Sequence, residues 1–147
     1  MIKAPVFFLL LVVALLGGCA SVSRQAVPHF DRNQVKMVFV ERRLADNNNV
    51  RDRLVSAVRE LGFEAEAGPL TLMPEKGVDV VLGYDDRWDW NFGDYMVELK
   101  VELRNPRTQE LLASALVRRS AMFGKSTDQM VKEAVEALFR TQRKAKA

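Results

Sequence analysis

The chain of 147 residues has a single cysteine, a single histidine and little excess charge of either sign, and it holds no apolar run long enough to cross a bilayer. Each shortage closes off a class of proteins. One thiol, Cys19, excludes an internal disulfide framework. One imidazole, His29, removes the Ser-His and Cys-His pairs of covalent hydrolases, and no second histidine or free thiol completes a zinc set. His29 also falls in a polar, unpatterned stretch, where it reads as an exposed linker residue. The longest uncharged apolar run, residues 6–16, is about half of the ~20 residues that a spanning helix needs. With 22 Lys and Arg against 19 Asp and Glu, the charge balance gives no ground for a nucleic-acid partner. Nothing in the sequence points to a metal, a cofactor or a catalytic residue.

What is present at the N-terminus is an address. Lys3, the apolar run and the small residues after it have the charged start, short apolar centre and small-residue exit of a secretory signal. The residues Leu16-Gly17-Gly18-Cys19 resemble the lipobox of bacterial lipoproteins. That resemblance implies that residues 1–18 are a signal peptide removed before Cys19, that the Cys19 thiol is diacylated and that the new amino terminus is acylated. The membrane is then a partner through N-terminal lipid. Ala20, where lipoproteins kept in the inner membrane often carry Asp, implies the periplasmic face of the outer membrane. Each buried methylene contributes about 0.8 kcal/mol and stable anchoring takes more than one chain, so a triacylated Cys19 would hold the protein on the bilayer.

Without the signal, 129 residues remain with 21 basic and 19 acidic side chains, the size of one domain. Residues 19–34 read as the lipidated cysteine and a flexible tether, which if extended reaches roughly 45–50 Å at ~3.3 Å per residue. Residues 35–141 read as a single α+β domain. Residues 142–147 form a basic tail that, with Arg140, reads as a solvated terminus.

Within the domain, Val35 to Glu41 is expected as a mostly buried strand. Asn49 is placed to cap a helix with Val50, Leu54, Ala57, Val58 and Leu61 on one face, ended by Gly62. Phe63 to Ala67 suits a short edge strand, and Val78 to Trp90 a longer one. From Tyr95 to Arg104 apolar and charged residues alternate, with Tyr95, Val97, Leu99, Val101 and Leu103 on the buried side. Asn105-Pro106-Arg107-Thr108 turns the chain into Leu111 to Arg118. Ser126 and Gln129 form a capping box for a last helix that buries Met130, Val131, Ala134, Val135, Leu138 and Phe139. The order β-α-(β)-β-β-β-α predicts a two-layer α+β sandwich, a mainly antiparallel sheet of four to five strands with two helices on one face. Signal and element order together are similar to the small Gram-negative periplasmic lipoproteins, a likeness that implies a class rather than an activity.

One segment stands out. Residues 84–95 hold both tryptophans, both tyrosines and four acids. If extended, Tyr84, Asp86, Trp88 and Trp90 share one face, and Asp85, Arg87 and Asp89 the other. Calcium fails on spacing: counted from Asp85, Trp90 stands where the loop needs Gly and Met96 where the bidentate Glu belongs; counted from Asp89, Lys100 takes that last place. Two functional uses remain beside a purely structural one, in which the tryptophans pack under the helices. A patch of Tyr84, Asp86, Trp88, Asp89 and Trp90 could bind glycan, ring faces on sugars and carboxylates on hydroxyls, or it could anchor an envelope protein partner, since interfaces favour Trp, Tyr and Arg at their centres. The expected function is a non-enzymatic, membrane-anchored interaction or accessory module of the cell envelope, with periplasmic ligand binding as the alternative. The charged strand face of Glu98, Lys100, Glu102 and Arg104 reads as a solvated sheet surface.

Overall fold

A computed structural model describes residues 21–27, 30–90, 93–119 and 124–140. Cys19, His29 and the tail beyond Arg140 lie outside them. The elements are β1 (Ser21–Ala26), β2 (Met37–Glu41), α1 (Val50–Glu60), β3 (Glu64–Gly68), β4 (Val80–Trp90), β5 (Asp94–Arg104), β6 (Leu111–Arg118) and α2 (Thr127–Leu138). The strands form one mixed, open sheet in the order β1-β6-β5-β4-β2-β3. β2 pairs in parallel with both β3 and β4, and the other neighbours are antiparallel. This is the predicted α+β sandwich with six strands.

The additional strand is β1, and it corrects the flexible tether expected over residues 19–34. Ser21 to Ala26 pair in register with Arg118 to Ala113, and residues 32–34 form a 3-10 turn. Ser21, Ser23 and Gln25 give no apolar alternation, which is why the segment looks unstructured in sequence. An edge strand takes its stability from the ladder to its neighbour and needs only one covered face. The chain thus enters the sheet two residues after Cys19.

Both helices cover one face. Val38 and Val40 of β2, Leu82 and Tyr84 of β4, Leu99, Val101 and Leu103 of β5 and Ala113, Ala115 and Val117 of β6 meet Leu54 and Val58 of α1 and Val131, Val135 and Leu138 of α2 in one core. The helices run parallel: Arg53 of α1 pairs with Asp128 at the start of α2, and Phe63 just after α1 stacks on Phe139 at the end of α2, ring centroids 4.4 Å apart. α2 keeps its predicted capping box, and Gly62 ends α1 at φ +90, a backbone state that favours glycine.

Two local expectations are corrected. Asn49 sits in the left-handed region and makes no side-chain cap. Asp46 does that work instead, its carboxylate accepting from the N–H groups of Val50 at 2.9 Å and Arg51 at 2.8 Å. In β5, Met96 is fully buried, whereas Tyr95 and Val97 are only half-buried. A bulge between Arg87 and Trp88 opposes Arg87 to Glu98 but Trp88 to Met96. The extra residue, Val97, reverses the alternation below it and turns Met96 toward the helices.

On the far face, the charged side chains of β5 pair with neighbouring residues: Glu98 with Arg118 at 2.6 Å, Lys100 with Glu102 at 2.5 Å, and Arg104 with Glu41 at 3.8 Å. The outer edge at β3 is blunted by Arg59, whose guanidinium donates twice to the Ala65 carbonyl. An edge blocked in this way resists pairing with another chain.

Candidate functional site

β4 outruns its parallel neighbour. β2 pairs with β4 only from Val38↔Val80 to Val40↔Leu82, whereas the pairing of β4 with β5 continues to Trp90↔Asp94. The aromatic-acidic segment therefore begins inside the core and ends on a projecting hairpin. The length of β4, not a turn, spreads its residues over these different surroundings.

Tyr84 is a core residue, 7% exposed, and its hydroxyl donates to Asp46 at 3.1 Å. Burial first, then the Asp46 charge and that hydrogen bond, push the phenol well above its usual range, so it stays a donor. Burial works to raise the Asp46 carboxyl, but the N–H groups of Arg51 and Val50 and the Tyr84 hydroxyl outweigh it and hold the carboxyl below its ordinary value.

Asp86 is the brace of the cluster. Its side chain, 13% exposed, accepts from Arg43 at 3.0 Å on one oxygen and from the Trp88 indole N–H at 2.5 Å on the other. Arg43 also reaches Asp85 at 3.0 Å, and its guanidinium lies 5.8 Å from the Tyr84 ring centroid. Trp88 packs half-buried against the core. Asp89 uses one carboxylate oxygen on the Trp90 N–H at 2.8 Å. Trp90, at the hairpin end, is 69% exposed.

The segment thus divides. Tyr84, Asp86 and Trp88 form one braced unit, with the polar atom of each ring engaged internally. Asp89 and Trp90 stand outside it. Sequence reading missed Arg43 and Asp46, which come from the β2–α1 loop. Asp46 carried a signal, an acid just before a helix, but Asn49 lay nearer the first apolar position and competed for the cap.

The linkage of Asp46 makes a prediction. Its folded-state pKa is depressed, so its contribution to stability is present above the unfolded carboxylate value of about 3.9 and is lost as pH falls toward the folded value. Asp46→Asn is expected to lower stability at pH 7 by about 1 kcal/mol, the cost of a weakened cap. That deficit should shrink between pH 4 and pH 2. Urea unfolding midpoints at the two extremes measure it, and a deficit unchanged by pH would contradict the assignment.

Elsewhere, a groove of about 450 Å³ runs along α1 from Asn49 to Glu60 beside Asp128 and Lys132 of α2; the Arg53–Asp128 pair belongs to the same groove. Among the described residues, no group of three His, Cys, Asp or Glu side chains is placed to hold a metal ion, and no helix is long and apolar enough to cross a membrane.

No family model and no curated protein matches the chain. Solved structures do, among them the PelC dodecamer from Paraburkholderia phytofirmans, at 14% identity and a TM-score of 0.62, and a point variant of the same dodecamer at 13% and 0.62. In both, the match covers 82% of this chain and 98% of the PelC chain. Across nearly the whole PelC chain, what the two proteins are shown to share is a fold.

Proposed function

We propose that this protein is a lipid-anchored, non-enzymatic module of the cell envelope, held on the membrane through Cys19, with the projecting β4–β5 hairpin as its contact surface. The observation that carries the reading is the braced hairpin. Arg43, Asp86 and Trp88 hold the base rigidly, and Trp90 is presented to the outside at its end. A rigid aromatic on a fixed base loses little entropy on binding and suits the centre of an interface.

The sheet's polarity adds a direction. Ser21, two residues after Cys19, is aligned with Arg118, which lies beside Glu98, which lies beside Arg87. Beyond Arg87 the hairpin runs on for three residues, about 10 Å. The exposed tryptophan and the lipid therefore belong to the same end of the sheet, and the contact is made close to the bilayer. The partner is an envelope protein or another copy of this chain; the PelC structures, titled as dodecamers, support self-association.

The glycan reading draws less support. Tyr84 and Trp88 have their hydroxyl and indole N–H committed to Asp46 and Asp86, and Asp89 already accepts from the Trp90 N–H.

The test is crosslinking of the full lipoprotein in its own envelope, wild type against Trp90→Ala at equal abundance and equal Tm. Loss of a crosslinked species is expected, and its mass distinguishes a second copy from a different protein. An identical set of crosslinks would remove the hairpin from the interface.

A further inference from the structure

The two edges of the sheet differ. At β3 the Ala65 carbonyl is taken up by the Arg59 guanidinium. At β1 the outward backbone groups are open, and the ladder shows which they are. The Val27 N–H donates to the Leu112 carbonyl, and β1 runs in the same register from Ser21↔Arg118 to Ala26↔Ala113. Bonded and unbonded pairs alternate in an antiparallel ladder. Ser21, Ser23 and Gln25 therefore exchange their bonds with β6, whereas Val22, Arg24 and Ala26 turn their N–H and C=O groups away from it. The other side of β6 agrees: the Arg119 N–H donates to the Val97 carbonyl, which by the same alternation gives Val117, Ala115 and Ala113 to β5. Among the described residues, nothing pairs with the outward backbone groups of Val22, Arg24 and Ala26.

Proteins protect such an edge with proline, lysine or a bulge. β1 has none of these: its six residues hold no proline or lysine, and its register is unbroken. Its one charged head, Arg24, is turned onto the Leu138 carbonyl at the end of α2, away from the open backbone. On the helix-covered face Val22 and Ala26 lie opposite Val117 and Ala113 of the core, yet Val22 is 40% exposed. The apolar face of the sheet thus ends on a valine that one more strand would cover. Ser21, Ser23 and Gln25, on the other face, are exposed.

We propose that the β1 edge receives an extended segment of another protein, added antiparallel to β1, with apolar residues opposite Val22 and Ala26 and polar ones opposite Ser23 and Gln25. Backbone bonds to Val22, Arg24 and Ala26 supply the affinity, and the alternation of side chains supplies the specificity. Directly opposed residues share a face, so the apolar side chains of the added segment extend the covered face over Val22. A second copy of this chain is a poorer occupant on two grounds. Its β3 edge is closed by Arg59. Its β1, paired antiparallel, would point the two Ser21 ends in opposite directions, and two chains anchored at Cys19 could not then share a bilayer. Only this second ground rests on the proposed anchoring; the open edge does not. The surface is also separate from the hairpin tip, since β6 and β5 lie between β1 and β4.

The test uses the full chain in zwitterionic detergent, so its result does not depend on whether Cys19 is acylated. The probe is a capped peptide of alternating Val and Thr between terminal Lys residues, titrated into isotope-labelled protein and followed by NMR. Amide exchange should slow at Val22, Arg24 and Ala26 and change little at Ser23 and Gln25, which β6 already holds. Cross-strand contacts should place a peptide Val beside Val22. With the protein unaltered, N-methylation of the peptide's Val residues, whose N–H groups face β1, should abolish binding, and N-methylation of its Thr residues should preserve it. Val22→Pro removes one edge donor and no bond to β6, and should weaken binding about fivefold or more. No binding of the unmethylated peptide, equal binding of the two methylated forms, or slowed exchange at β3 in place of β1 would overturn the proposal. Contacts between the β1 strands of two copies in the absence of peptide would also overturn it, in favour of self-pairing.

Discussion

Cys19→Ser is expected to move the protein from the membrane fraction to the soluble envelope fraction, with the signal uncleaved or cleaved elsewhere. The argument is energetic. Each buried methylene contributes about 0.8 kcal/mol, one acyl chain holds a protein only marginally and several hold it firmly. The thiol is the only group in the chain with the nucleophilicity for the thioether, and serine lacks it. Among the described residues no helix is long and apolar enough to span. Fractionation and intact mass together measure the effect: wild type should carry the mass of its acyl chains and the variant none. A variant that stays membrane-bound at full strength would move the anchor elsewhere in the chain.

Phe139→Ala is expected to be the most damaging substitution in the folded domain, at about 3–5 kcal/mol. Phe139 is fully buried, its ring stacks on Phe63, and the Arg32 guanidinium lies over the other partner of that stack at 5.3 Å. Its carbonyl is also where Arg32 closes the end of α2. Removing the ring leaves a void between the ends of both helices and loosens the seam that joins them. Phe139→Leu fills most of that space and should cost less than about 1.5 kcal/mol. Urea denaturation of the three proteins measures the order. Equal midpoints for Ala and wild type would mean that the helix ends do not share a core.

Much of the fold was legible because its signals are local. The stripe of Val50, Leu54, Ala57 and Val58, the Ser126–Gln129 box and the alternation from Leu99 to Arg104 each lie within one element and need no partner to be read. What failed to be read depends on pairing across the chain. β1 has no pattern of its own and exists through β6. Met96 faces the core because of a bulge that only the register against β4 defines. Asp46 outcompeted Asn49 because the loop before α1 brings it to the Val50 and Arg51 N–H groups while the Tyr84 hydroxyl donates to the oxygen that also takes the Arg51 N–H.

The candidate site followed the same division. By itself the sequence determined that Tyr84, Asp86, Trp88, Asp89 and Trp90 form an unusual segment, that one cysteine stands in a lipobox-like context, and that two helices and a sheet share a core. Residue type and spacing are properties of the chain and survive without its folding. Only the tertiary structure decided that Tyr84 and Trp88 serve the interior while Trp90 faces out. It also set the hairpin at the Ser21 end of the sheet and brought Arg24 and Arg32 to the end of α2, more than a hundred residues away in sequence. Exposure and charge clustering depend on what lies across the sheet, and strand pairing alone sets that.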